Sequence, residues 1–145
     1  MSKVKINYLW GDQAPKPVVP TIEHKFFNEM GIMLSAFPFH KLDRRYEELK
    51  EIGIRKYIGL SEDDSRNLII DSGGFQGYKK DLVITTESVL KIYEASQLSK
   101  KDHVVTLDRI PFPDQKPATR MKKIVETNKN YKKMVTVCFD NYYEK

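Results

Sequence analysis

At 145 residues the chain is long enough for one modest domain with a core of its own. Hydrophobic residues make up 40% and charged residues 31%, a soluble globular balance that excludes a disordered polar tract. The formal charge of +5 favours polyanionic partners such as nucleic acid, although lysine-rich surfaces also serve solubility.

Cys138 is the only cysteine, which rules out an internal disulfide and a cysteine-based zinc site within this chain. A reducing, intracellular setting fits that usage. The first residues carry no charged-then-apolar leader, and no apolar run approaches bilayer length. A cytoplasmic protein without a membrane partner is expected.

In chain order, Val4 to Leu9 reads as a first strand. Pro15, Pro17 and Pro20 impose an extended connector over 14–20. Thr21 caps a short helix through Met30, which Gly31 ends. Ile32 to Phe37 is the next strand, closed by Pro38, with Phe39 and His40 just past its end. Asp43 caps a helix from Arg44 to about Ile52, with Gly53 as its stop and Tyr46, Leu49 and Ile52 on one face. Ile54 to Leu60 is ambiguous between helix and strand, and the acidic, polar run Ser61 to Ser65 reads as a surface loop.

Leu68, Ile69 and Ile70 form an unbroken apolar run, the pattern of a strand covered on both faces, and it stops at Asp71. Thr85 or Thr86 caps a helix over 87–98 whose buried stripe is Val89, Leu90, Ile92, Tyr93 and Leu98. His103 to Leu107 is again a short apolar strand, ending at Asp108. Pro111, Pro113 and Pro117 make 110–117 a loop, Ala118 to about Lys133 reads as a basic amphipathic helix, and Met134 to Phe139 as one more strand. Asp71 and Asp108 stand 37 positions apart, a sensible βαβ step, and the same step back lands near Ser35, Ala36 and Phe37. Alternating strands and helices with short loops imply an α/β fold with a parallel sheet. Four or five such units cannot close an eight-stranded barrel. The expectation is therefore a small open sheet or the front part of a barrel.

Asp71 and Asp108 each follow an apolar run directly, so in a parallel sheet both carboxylates project from the same end. A carboxylate pair there suits acid–base work, or accepts the N–H groups of a base edge. Gly73 and Gly74 permit a sharp turn and close backbone approach, and Phe75 offers a flat face for stacking. From local chemistry alone, the Asp-Ser-Gly-Gly stretch also reads as a plain turn with Asp71 as a helix N-cap. His40 follows a strand end; His24 and His103 carry no supporting pattern, and no set has metal spacing. The glycine spacing excludes a dinucleotide fingerprint, and no Walker-type loop is present. Arg120, Lys122, Lys123, Lys129, Lys132 and Lys133 give a basic helix that is either a solvated face or a contact to nucleic acid. Lys79 and Lys80, beside the glycine turn, are placed to meet phosphates.

The hexamer Asp71-Ser72-Gly73-Gly74-Phe75-Gln76 resembles the signature of the tRNA-guanine transglycosylases, the queuine tRNA-ribosyltransferases of queuosine biosynthesis. Ile32 to His40 is similar to the family segment in which a strand runs into Asn-Thr-Tyr-His. Here Ala36 and Phe37 replace the first two of those residues, and only His40 clearly survives. Val104 to Asp108 resembles the later strand ending in Phe-Asp-Glu, with Arg109 where the family usually has Glu, and Pro111 and Pro113 echo its proline-rich loop. The resemblance covers about Ile32 to Lys133, and the hexamer is its specific part.

That resemblance implies a (β/α)8 barrel of which this chain holds the front portion, and an exchange of guanine for a 7-deazaguanine base in tRNA. Asp71 then resembles the general acid/base, Phe75 the aromatic that stacks on the base, and Asp108 the carboxylate that accepts from its N–H groups. Ser72, Gly73, Gly74, Gln76 and His40 line the same pocket in this reading. The family's nucleophilic Asp and its Cys/His zinc site belong to a second half, so no cofactor is expected in this chain. A partner bearing that half, or a second copy, is expected to complete the site. The departures at Ala36, Phe37 and Arg109 leave open the phage-type branch that inserts 7-deazaguanines into DNA. They also leave open a non-catalytic accessory subunit that binds nucleic acid.

Overall fold

The structure is a computed structural model that describes residues 9–12, 31–41, 43–61 and 63–138. Its short apolar runs become strands β1 (Leu9–Asp12), β2 (Gly31–Ser35), β3 (Leu68–Asp71) and β4 (His103–Val104). They form one parallel sheet in the order β1-β2-β3-β4. Between and after them lie helices α1 (Arg44–Tyr57), α2 (Gly74–Lys79), α3 (Thr86–Ala95) and α4 (Pro117–Cys138), and a 3-10 turn at Phe37–Phe39. The chain is thus mixed α/β with a small parallel sheet. The strand expected over Val4–Leu9 enters the sheet only at Leu9; its earlier residues, the 14–20 connector and the helix from Thr21 lie outside the described residues.

Alternation along the strands sorts the two faces of the sheet. Ile32, Leu34, Leu68 and Ile70 are buried, whereas Met33 and Ile69, which pair across β2 and β3, are only half-buried on the other face. On the buried face the strands meet Leu49 and Ile54 of α1 and Val89, Ile92 and Tyr93 of α3. Local signals explain both helices. Asp43 caps α1 by accepting from the Arg45 N–H at 3.0 Å. A capping box at Thr85 and Ser88 opens α3, which buries Val89, Ile92 and Tyr93 at helical spacing. Gly53 does interrupt α1, with φ +74°, but Ile54 to Tyr57 resume a helical turn, which resolves that ambiguous stretch.

Three sequence expectations need correction. The strand read at Met134–Phe139 is instead the end of α4, which continues to Cys138. No Gly or Pro interrupts 118–138, and the β-branched Val135, Thr136 and Val137 each cost a helix only about 0.5 kcal/mol. β2 stops at Ser35 because Pro38 sits in the 3-10 turn that follows. β4 is two residues long, although the Val105 N–H still reaches the Ile70 carbonyl at 2.9 Å. Among the described residues no helix is long and apolar enough to cross a membrane.

The amino-terminal ends of the strands are tied together by one buried carboxylate. Asp102 is 3% exposed and accepts from the Leu68 N–H at 3.0 Å, the Ser99 N–H and hydroxyl at 2.9 and 2.8 Å, and Arg55 Nη2 at 2.6 Å. Burial pushes its pKa up, but these hydrogen bonds and the guanidinium outweigh burial and hold it below the usual carboxylate range. Asp102→Ala is therefore expected to cost about 3–5 kcal/mol, read from urea unfolding, because it leaves the Arg55 guanidinium with backbone carbonyls but no carboxylate and the buried Leu68 amide without its acceptor. The lowered pKa also sets a sign. The stabilisation is complete above about pH 4 and is lost as the pH falls through the folded value, a loss the variant will not show in melting curves.

Candidate functional site

At the opposite, carboxyl end of the sheet, the register sets Ser35 beside Asp71. The ladder runs one bond further, from the Ala36 N–H to the Asp71 carbonyl at 2.8 Å. The chain after β3 then turns through two side-chain bonds: Asp71 Oδ2 accepts from the Gly73 N–H at 2.9 Å, and Ser72 Oγ from the Gly74 N–H at 3.3 Å. The plain turn chemistry of Asp and Ser is thus present, and it fixes the direction of the Asp71 carboxylate. Gly73 has φ +75°, and a Cβ there would lie 2.7–2.8 Å from the backbone N and Cα of Phe37. Two successive loops touch backbone to backbone at this point.

Two more side chains cross between those loops. The Ser35 hydroxyl accepts from the Phe37 N–H at 3.2 Å and donates to Gln76 Oε1 at 2.5 Å. His40 Nε2 lies 2.8 Å from the Ser72 carbonyl oxygen, which can only accept, so the proton belongs on Nε2. Nδ1 then faces the Ser88 hydroxyl at 3.2 Å and shares its single proton with the Thr85 carbonyl, 2.9 Å from the same oxygen. Burial pushes the His40 pKa down, against the opposing pull of the Ser72 carbonyl. His40 therefore spends both ring nitrogens on the protein and braces the turn.

Asp108 stands four residues beyond the end of β4 at Val104 and is exposed. The segment that carries it is held against the Gly73–Gly74 turn. A Cβ on Gly74 would meet Leu107 Cδ1 at 2.9 Å and the Asp108 carbonyl at 3.4 Å. Helix α4 pins this segment from behind. Asn130 Nδ2 donates to the Leu107 carbonyl at 3.1 Å, the Arg109 N–H donates to Thr127 Oγ1 at 2.8 Å, and the Leu107 N–H meets Met134 Sδ at 3.4 Å.

Phe75 lies on the first turn of α2 and is 47% exposed, with Lys79 Nζ 4.6 Å from its ring centre. Lys80 Nζ lies 5.4 Å from the Phe37 ring centre. Arg120 and Lys122 sit on the first turns of α4, and Lys123 Nζ donates to the Ile110 carbonyl at 2.9 Å. A cleft of about 310 Å³ lies beside Asp108, lined among others by Gly74, Tyr78, Arg109 and Lys123; Asp71 and Phe75 stand outside its lining. Asp71, Ser72, Gly73, Gly74, Gln76 and His40 are thus brought together, Asp108 adjoins them, and the basic residues of α4 approach through Lys123. Among the described residues no group of three or more His, Cys, Asp or Glu is placed to hold a metal ion.

Two residues at this end carry no motif of their own. Ser35 is marked only by the βα step back from Asp71, and Tyr78 is not singled out by the sequence, its one available signal being its place three positions after Phe75. Chemically, the end of the sheet offers an oriented carboxylate, a second carboxylate on the loop after β4, an amide and an exposed ring.

Gly73→Ala is expected to lose at least about 1–2 kcal/mol in urea unfolding from the left-handed backbone alone, before the contact with Phe37 is counted. For His40, the stabilisation of the neutral ring is complete above about pH 6.5 and is lost as the pH falls through the lowered folded value. The melting temperature should fall over that window in the wild type and not in His40→Gln. These roles rest on geometry and on the hexamer, since no protein-family model matches the chain, no curated protein matches it and no solved structure matches it.

Proposed function

We propose that the chain is transglycosylase-like and takes part in exchanging guanine for a 7-deazaguanine base in tRNA. The observation that carries this reading is the seating of the Asp71–Gln76 hexamer at the carboxyl end of β3, with the loop that follows β4 bringing Asp108 against its Gly74. Sites of parallel α/β folds form at that end. Asp71 handles the proton of the departing and incoming base, and its carboxylate is already oriented by the Gly73 N–H. Asp108 accepts from the in-plane N–H groups of the base, and Phe75 lies against its face. Buried Ser72 and half-buried His40 brace the turn, and Gln76 ties it to Ser35.

The same reading makes the sheet the front part of a (β/α)8 barrel. The strand order runs in sequence without reversal, and right-handed crossovers then put the helices on one face. The helices α1 and α3 lie on that face, while half-buried Met33 and Ile69 occupy the face a barrel would close over. The ribose-attacking carboxylate and the zinc site then belong to a second half, supplied by further sequence or by a partner.

The test is exchange of radiolabelled guanine into tRNA, with DNA in parallel, alongside calorimetric binding of free 7-deazaguanine. Incorporation lost in Asp71→Asn is the result expected of the assembled enzyme. Base binding should weaken about tenfold or more in Asp108→Asn, the scale of a lost charged hydrogen bond. Incorporation into DNA alone would assign the DNA branch. Nucleic-acid binding without exchange or base binding would overturn the enzyme reading and leave an accessory subunit.

A further inference from the structure

Beside the hexamer, α2 carries a second exposed ring. Tyr78 is 52% exposed, yet its far face is backed by Phe112, with ring centres 4.6 Å apart and planes at 28°. A ring held in this way gives up little conformational freedom when something stacks on it. It forms one wall of the 310 Å³ cleft, and Asp108 forms another.

Charge is arranged around this wall in two kinds. Lys123 Nζ stands 5.5 Å from the Tyr78 ring centre and 5.3 Å from that of Phe112, anchored by its bond to the Ile110 carbonyl. Lys79 stands by Phe75, one helical turn back along α2. Asp81 and Asp108 line the cleft as well. A phosphate is favoured near Lys123 and disfavoured near the two carboxylates, whereas a base edge bearing N–H groups is favoured beside the carboxylates. Aromatic faces alternating with ammonium groups form the pattern that holds unpaired bases and their backbone. A duplex presents no free base face to such a wall.

Resting on the exchange reading, we propose that this cleft seats an unpaired nucleotide adjoining the exchanged one, its base stacked on Tyr78 and its phosphate met by Lys123. The substrate class is then a single-stranded or looped nucleic acid. The flanking base is gripped chiefly by stacking, which is sequence-tolerant, and the two carboxylates bias it towards bases that present N–H groups.

The full chain is titrated with a fluorescent single-stranded oligonucleotide and read by anisotropy, with an unlabelled duplex of the same sequence as competitor. Tyr78→Ala should weaken binding by about tenfold or more. Tyr78→Leu, which keeps apolar bulk against Phe112, should weaken it similarly, and Tyr78→Trp should retain it. Lys123→Met should lower the slope of log affinity against log salt by about one. Wild-type affinity in both Tyr78→Ala and Tyr78→Leu, or a duplex that competes as well as the single strand, would overturn the proposal. Free 7-deazaguanine binding by the wild type is measured separately. Its absence, with Tyr78-dependent oligonucleotide binding intact, would sink the exchange reading and leave the stacking site standing.

Discussion

The backbone of Gly73 lies against the backbone of Phe37 with no room for a Cβ between them. Everything at the carboxyl end of β2 and β3 depends on that approach. It lets the Ala36 N–H reach the Asp71 carbonyl, Ser35 reach Gln76, and His40 reach the Ser72 carbonyl. Each of these bonds alone stabilises by only about 1 kcal/mol. Together they cross-link two loops that would otherwise move independently, and they aim the Asp71 carboxylate. A left-handed glycine is therefore a condition of the site's geometry and not only of its turn.

The second carboxylate is held by a different device. Asp108 lies where the β4 ladder has already ended, so backbone pairing does not position it. Helix α4 does, through Asn130, Thr127 and Met134, which grip Leu107 and Arg109 on either side of Asp108. The separation between the two carboxylates is thus set by how α4 docks against the sheet. The anchor at the other end of the strands, Asp102 with Arg55 and Ser99, keeps the sheet from which both loops project.

Much of this was legible in the sequence where the signal is local. The apolar run stopping at Asp71, the cap at Asp43 and the Thr85–Ser88 box each specify an element within a few residues. What was not legible depends on contacts between distant segments. Val135, Thr136 and Val137 favour a strand by themselves, but the helix that contains them is tied to Leu107 and Arg109 by side chains upstream. The β4 ladder ends early because side chains take over as partners: the Tyr93 hydroxyl meets the Val105 carbonyl and Asn130 the Leu107 carbonyl. At the site, the hexamer marked Asp71 and its turn. Ser35 gained meaning only from register, and Tyr78 only from Phe112 behind it. His40 stood out by its place after a strand, but its two bonds to Ser72 and Ser88 make it a brace.

The central claim is that the loops after β3 and β4 form a single receptor for one flat, N–H-bearing ring. Amide NMR spectra recorded while free 7-deazaguanine is added test it most directly. The result expected is that the resonances of Ser35, Gly73, Gly74 and Asp108 shift together along one binding curve. Shifts confined to one of the two loops, or no shift in either at saturating ligand, would contradict it.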